Sequence, residues 1–60
     1  MDLKAKFLKV YANLPLGVRE EVVIVIDGEP LSWRAAQLEV EQNTKKGIEI
    51  LEQLNKLQIL

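Results

Sequence analysis

An unbroken run of five β-branched aliphatic residues, Val22–Ile26, constrains this chain more than any other feature. Such residues favour β-strands, and five are too few for a helix of their own. Successive side chains of a strand point to opposite faces of a sheet, so the run places apolar groups on both faces. We expect the even-numbered side chains on one face and the odd-numbered side chains on the other. Both faces then need to be covered.

A tight turn and a short return strand follow the run. Asp27-Gly28 comes directly after it and is a strong signal for a two-residue hairpin turn. Glu29–Leu31 is then the second strand. Pro30 lacks an N–H group, so it must occupy a position that needs no ladder hydrogen bond, which indicates a short edge strand.

A first helix precedes the hairpin. Asp2 can cap it, and its apolar residues recur at helical spacing. Pro15 disfavours helical geometry at the residue before it, so we expect the helix to end near Ala12 or Asn13.

The segment from residue 33 to residue 57 is helical by pattern, and the pattern leaves open whether it forms one helix or two. Ser32 is a good N-cap for its start. A single helix would be about 37 Å long, which exceeds a compact domain of this size. Asn43-Thr44 offers a break, because Asn tolerates the left-handed conformation and Thr44 can cap a new helix.

These elements predict a single small α+β domain over residues 1–60, in the order helix, β-hairpin, helix, helix. We expect the core to contain the following residues: Leu3, Phe7, Val10, Tyr11, Leu14, Val18, Val22–Ile26, Leu31, Trp33, Ala36, Val40, Ile48, Leu51, Leu54 and Leu57.

The small size of the domain favours association with a partner chain. Sixty residues bury little apolar surface, and domains this small usually gain stability from disulfides, a metal ion or oligomerisation. Cysteine and histidine are both absent, which excludes disulfides and argues against a transition-metal site. We expect the hairpin to pair across a two-fold axis into a four-stranded antiparallel sheet in a homodimer. The alternative is that the helices of one chain cover both faces.

The composition argues against enzymatic chemistry. Without histidine or cysteine, neither a Ser–His nor a Cys–His nucleophile system can form. The three glycines are far apart and build no phosphate loop. We therefore expect no enzyme activity, no catalytic residue, no cofactor and no metal. The absence of cysteine fits a cytoplasmic location, and no apolar run approaches the roughly 20 residues that cross a bilayer.

Nucleic-acid binding is the alternative function. Residues 33–57 could form a helix-turn-helix-like segment, with Lys45 and Lys46 at the start of its second helix for phosphate contacts. The formal net charge of −1 and the glutamates on both helices argue against it.

The segment VVIVIDGEPLSW, followed by a helix and then NTKKGIEILEQL, resembles a group of short uncharacterised archaeal proteins. The resemblance covers most of the chain after Gly17. Its motifs are structural: a strand, an Asp-Gly turn, a Ser cap, and a Thr cap followed by Gly. The resemblance implies no activity.

The leading hypothesis is therefore a non-enzymatic homodimeric protein-interaction or structural module, with an unidentified protein as a further partner. The predicted interface residues are Val22, Val23, Ile24, Val25 and Ile26. A small DNA-associated regulator that uses Lys45 and Lys46 is the alternative.

Overall fold

The computed structural model describes residues 2–60. Its elements are helix α1 (Leu3–Ala12), a short 3₁₀ helix (Val18–Glu20), strand β1 (Val22–Ile26), strand β2 (Glu29–Ser32), helix α2 (Trp33–Glu41) and helix α3 (Lys45–Lys56). This order confirms the predicted α+β arrangement of helix, hairpin, helix and helix. The segment after the hairpin forms two helices.

All three predicted helix caps are present. The carboxylate of Asp2 accepts a hydrogen bond from the N–H of Ala5 at 3.2 Å. The hydroxyl of Ser32 accepts from the third residue of α2 at 3.1 Å. The hydroxyl of Thr44 accepts from the N–H of Gly47 at 2.9 Å. Each cap satisfies an N–H group that has no partner within its own helix.

Residues in the left-handed conformation set two chain reversals. Asp27 has φ 51° and Gly28 has φ 80°. Positive φ at both central residues defines a type I′ turn, which matches the twist of a hairpin. Asn43 has φ 54°, and this left-handed conformation separates α2 from α3. Both reversals lie where the sequence predicts them.

Strand β1 contains a β-bulge at Val23. In the antiparallel register Val22 lies opposite Ser32, whereas Ile24 lies opposite Leu31. Two steps along β1 thus correspond to one step along β2, and Val23 is the extra residue. The bulge shifts the alternation of β1, so that Val22 no longer shares a face with Ile24.

The core lies between one face of the hairpin and the three helices. Its buried apolar residues are Phe7, Ile24, Ile26, Leu31, Ala36, Val40, Ile50 and Leu54. Trp33 and Tyr11 are half-buried and pack against it. The ring of Phe7 lies 5.8 Å from that of Trp33 and 6.2 Å from that of Tyr11.

Four residues of the predicted core are exposed instead: Val22, Val25, Ile48 and Leu57. Ile48 in α3 and Leu57, the C-cap residue of α3, are nine residues apart, which at 3.6 residues per turn places them about 180° apart around the axis. Both therefore cannot face the same core. The buried stripe of α3 is instead Gly47, Ile50 and Leu54.

Helices α2 and α3 approach each other closely at Gly47. A Cβ atom at this position would lie 2.4 Å from the carbonyl oxygen of Glu39 and 3.1 Å from the Cα of Val40. Since these are backbone atoms, a side chain larger than hydrogen has no room there. Gly47 therefore sets how closely the two helices pack.

Candidate interface on the outer face of the hairpin

The two faces of the hairpin differ sharply in exposure. On the inner face, Ile24 and Ile26 are only 8% and 4% exposed. On the opposite face, Val22 and Val25 are 59% and 58% exposed, and Pro30, which lies across from Val25, is also exposed. We call Val22, Val25 and Pro30 the outer face. The half-buried Val23 packs against the core at the bulge.

The bulge brings Val22 and Val25 onto the same face. In a regular strand, residues three apart point to opposite faces. The extra residue at Val23 adds one position between them, so both point outward. The expectation that Val22 shares a face with Ile24 and Ile26 was therefore wrong. Every residue in the run is β-branched, so nothing in the sequence marks the bulge.

The same two valines carry the free backbone groups of β1. The two-residue turn makes Ile26 and Glu29 a hydrogen-bonded pair, so Val25 and Pro30 form the next, non-hydrogen-bonded pair. The N–H and C=O of Val25 therefore point away from β2. Pro30 lacks an N–H group at a position where none is needed, as the sequence predicts.

Val22 occupies an equivalent position on the other side of the bulge. The N–H of Trp33 donates to the carbonyl of Glu21 at 3.2 Å. This bond flanks the pair of Val22 and Ser32 and makes it non-hydrogen-bonded, so the backbone groups of Val22 also point away from β2.

Of the five predicted interface residues, the structure therefore leaves Val22 and Val25 open to contact. Val23 is partly accessible, and the side chains of Ile24 and Ile26 belong to the core.

Carboxylates surround the hairpin. Glu20 forms a 2.6 Å ion pair with Arg34, and Glu29 forms a 2.7 Å ion pair with Lys46. Within residues 2–60, the exposed Glu21 and Asp27 at the two ends of β1 have no ion-pair partner. Around the hairpin, four acidic side chains therefore outnumber the two basic side chains that pair with them.

Lys45 and Lys46 lie at the start of α3, where the sequence places them, but their surroundings differ. Lys45 is exposed, whereas Lys46 donates a hydrogen bond to Glu29. That hydrogen bond, followed by the charge of the same carboxylate, raises the pKa of Lys46 above its usual 10.5. Glu39 and Asp27 add smaller increases. Lys46 is therefore engaged with carboxylates within the chain, and a phosphate would have to compete with them.

The part of the chain that the structure describes contains no ligand-sized cavity. Over residues 2–60 there is no cluster of three or more acidic side chains able to hold a metal ion. None of the helices described is both long and apolar enough to cross a membrane.

Comparisons with protein-family models, with curated proteins and with solved structures find no match for this chain.

Proposed function

We propose that this chain is a non-enzymatic homodimeric protein-interaction module, in which β1 pairs with β1 of a second copy. One observation carries the proposal: Val22 and Val25 combine an exposed apolar side chain with backbone groups that point away from β2. An edge of this kind is a template for another strand unless a partner covers it.

The positions of the outward backbone groups support one register of pairing. In an antiparallel arrangement across a two-fold axis, Val22 lies opposite the partner's Val25, and Val25 lies opposite the partner's Val22. Each hairpin contributes two strands, so the dimer holds a four-stranded antiparallel sheet. Pairing in this register removes the free β1 edges of both copies from water at once, and a two-fold axis closes the assembly.

Sedimentation equilibrium across a concentration series tests this proposal. We expect the wild-type chain to have the mass of a dimer and to dissociate on dilution. Val25→Pro removes the N–H group that points away from β2 and is not used within the hairpin, so it should give a monomer with an unchanged circular dichroism spectrum. Val25→Thr is the matched control, because it changes the same exposed side chain but keeps the N–H group. The control should remain a dimer.

A wild-type monomer at the highest concentration would overturn the proposal, as would a Val25→Pro variant that keeps the dimer mass. Replacing Ile24 would not distinguish the two outcomes, because Ile24 is a core residue and its loss affects folding.

The second candidate is a DNA-associated regulator. It is favoured by the connection between α2 and α3, since residues 42–44 form a three-residue turn of the length found in helix-turn-helix motifs. The engagement of Lys46 with Glu29 weighs against it. Duplex DNA binding at low salt that is lost in the Lys45→Ala/Lys46→Ala double variant would support this function, and absence of binding at low salt would exclude it.

A further inference from the structure

Edge pairing leaves one surface of the proposed dimer uncovered. Two strands that pair side by side bury their edges but leave both faces of the sheet as they were. In the four-stranded sheet, Val22, Val25 and Pro30 of both copies would lie on the same outer face. Within residues 2–60, the helices pack on the inner face, where Ile24 and Ile26 are buried.

Two unpaired carboxylates flank this apolar face in each copy. At about 3.3 Å per residue, Glu21 lies about 3 Å along the strand from Val22, and Asp27 lies about 7 Å from Val25. Both distances are within the Debye length of about 8 Å at physiological ionic strength. The two carboxylates therefore exert an electrostatic effect on any group that contacts the valines. The nearby Lys46 offsets part of the charge of Asp27.

We infer that the outer face of the dimer binds a basic amphipathic helix of another protein, with apolar side chains over the valines and Lys or Arg side chains near Glu21 and Asp27. This inference rests on the proposed homodimer. The carboxylates disfavour stacking of a second dimer on the same face, because that would bring like charges together. They disfavour nucleic acid for the same reason.

A designed helical peptide of leucine and lysine at amphipathic spacing is the probe, and the same peptide with glutamate in place of each lysine is its control. Binding is measured by isothermal titration to the protein at a concentration where its mass is known. The lysine peptide should bind, and the glutamate peptide should not. Val25→Thr, which keeps the side-chain shape but replaces a methyl group with a hydroxyl, should weaken binding of the lysine peptide.

Two double variants distinguish an effect of the carboxylates beside the outer face from an effect of the net charge of the protein. Glu21→Gln/Asp27→Asn and Glu49→Gln/Glu52→Gln each remove two negative charges from exposed positions. Asp27 has positive φ, which asparagine tolerates. We expect the first variant to lose about fivefold or more in affinity, and the second, on α3, to bind like the wild type.

An equal loss in the two double variants would overturn the inference, because binding would then follow net charge alone. Absence of binding by a dimer of confirmed mass would overturn it as well, while leaving the homodimer in place. Conversely, a monomer that binds with the expected variant pattern would reject the homodimer and retain the outer face as the binding site.

Discussion

The inner and outer faces of the hairpin are made of the same kind of residue but are used differently. Ile24 and Ile26 face the helices and are almost fully buried, whereas Val22 and Val25 face away from them and are more than half exposed. Residue type therefore does not distinguish the two faces. Their difference comes from the bulge at Val23 and from the side on which the helices pack.

The inner-face residues stabilise the fold, whereas the outer-face residues are available to a partner. A buried side chain contributes to stability through apolar surface removed from water and through close contacts. An exposed valine contributes little to the monomer. Substitutions on the inner face should therefore affect folding, and substitutions on the outer face should affect association.

The largest expected effect is on the free energy of unfolding, when threonine is placed on the inner face and, for comparison, on the outer face. Ile26→Thr removes apolar volume from the core and buries a hydroxyl, so we expect a loss of about 2–4 kcal/mol in the free energy of unfolding. Val25→Thr keeps a β-branched residue at an exposed position and should cost less than about 0.5 kcal/mol. Urea denaturation at the lowest practical protein concentration measures both. Equal losses would mean that the two faces are not distinct.

An intermediate effect is expected where the helices meet beneath the inner face. Gly47→Ala gains about 1 kcal/mol in helix propensity but forces the backbone of α2 away, so we expect a net loss of about 1–3 kcal/mol. Gly17→Ala is the matched control, because nothing lies within 4 Å of a Cβ atom there and its φ is negative. It should be neutral or should stabilise by about 0.4–1 kcal/mol. Thermal denaturation of both variants tests this difference, and a stabilised Gly47→Ala variant would contradict the close helix contact.

The smallest effect concerns the ion pair between Lys46 and Glu29, which joins the hairpin to α3. The raised pKa of Lys46 means that the folded state holds this proton more tightly than the unfolded state does. Its contribution to stability is therefore complete below pH 10.5 and declines as the pH rises through the raised value.

Lys46→Gln should lower the melting temperature slightly at neutral pH, and the difference from the wild type should shrink as the pH rises above 10.5. Lys45→Gln, in the same turn, is the control and should show no such pH dependence. A difference that stays constant over this range would show that the pair does not stabilise the fold through its charge.

Much of the fold could be predicted because its local signals are strong. Asp2, Ser32 and Thr44 cap their helices through hydrogen bonds to N–H groups three residues away. Asp27-Gly28 forms the turn because both residues tolerate positive φ.

The pattern of α3 contained a signal that our prediction of its core missed. Ile48 and Leu57 cannot share a helix face, whereas Gly47, Ile50 and Leu54 can. A strict count of helical spacing would have identified Ile50 as a core residue.

The sequence by itself indicated the cap residues of the three helices, the hairpin turn and β1, because caps, turns and strand propensity depend on neighbouring residues. It left open whether residues 33–57 form one helix or two. Only the tertiary structure decided which valines face outward, why residue 47 must be glycine, and which carboxylate meets Lys46. Each of these depends on how distant segments meet. A uniform β-branched run carries no mark of a bulge, and the space at one residue is set by a backbone packed against it from another helix.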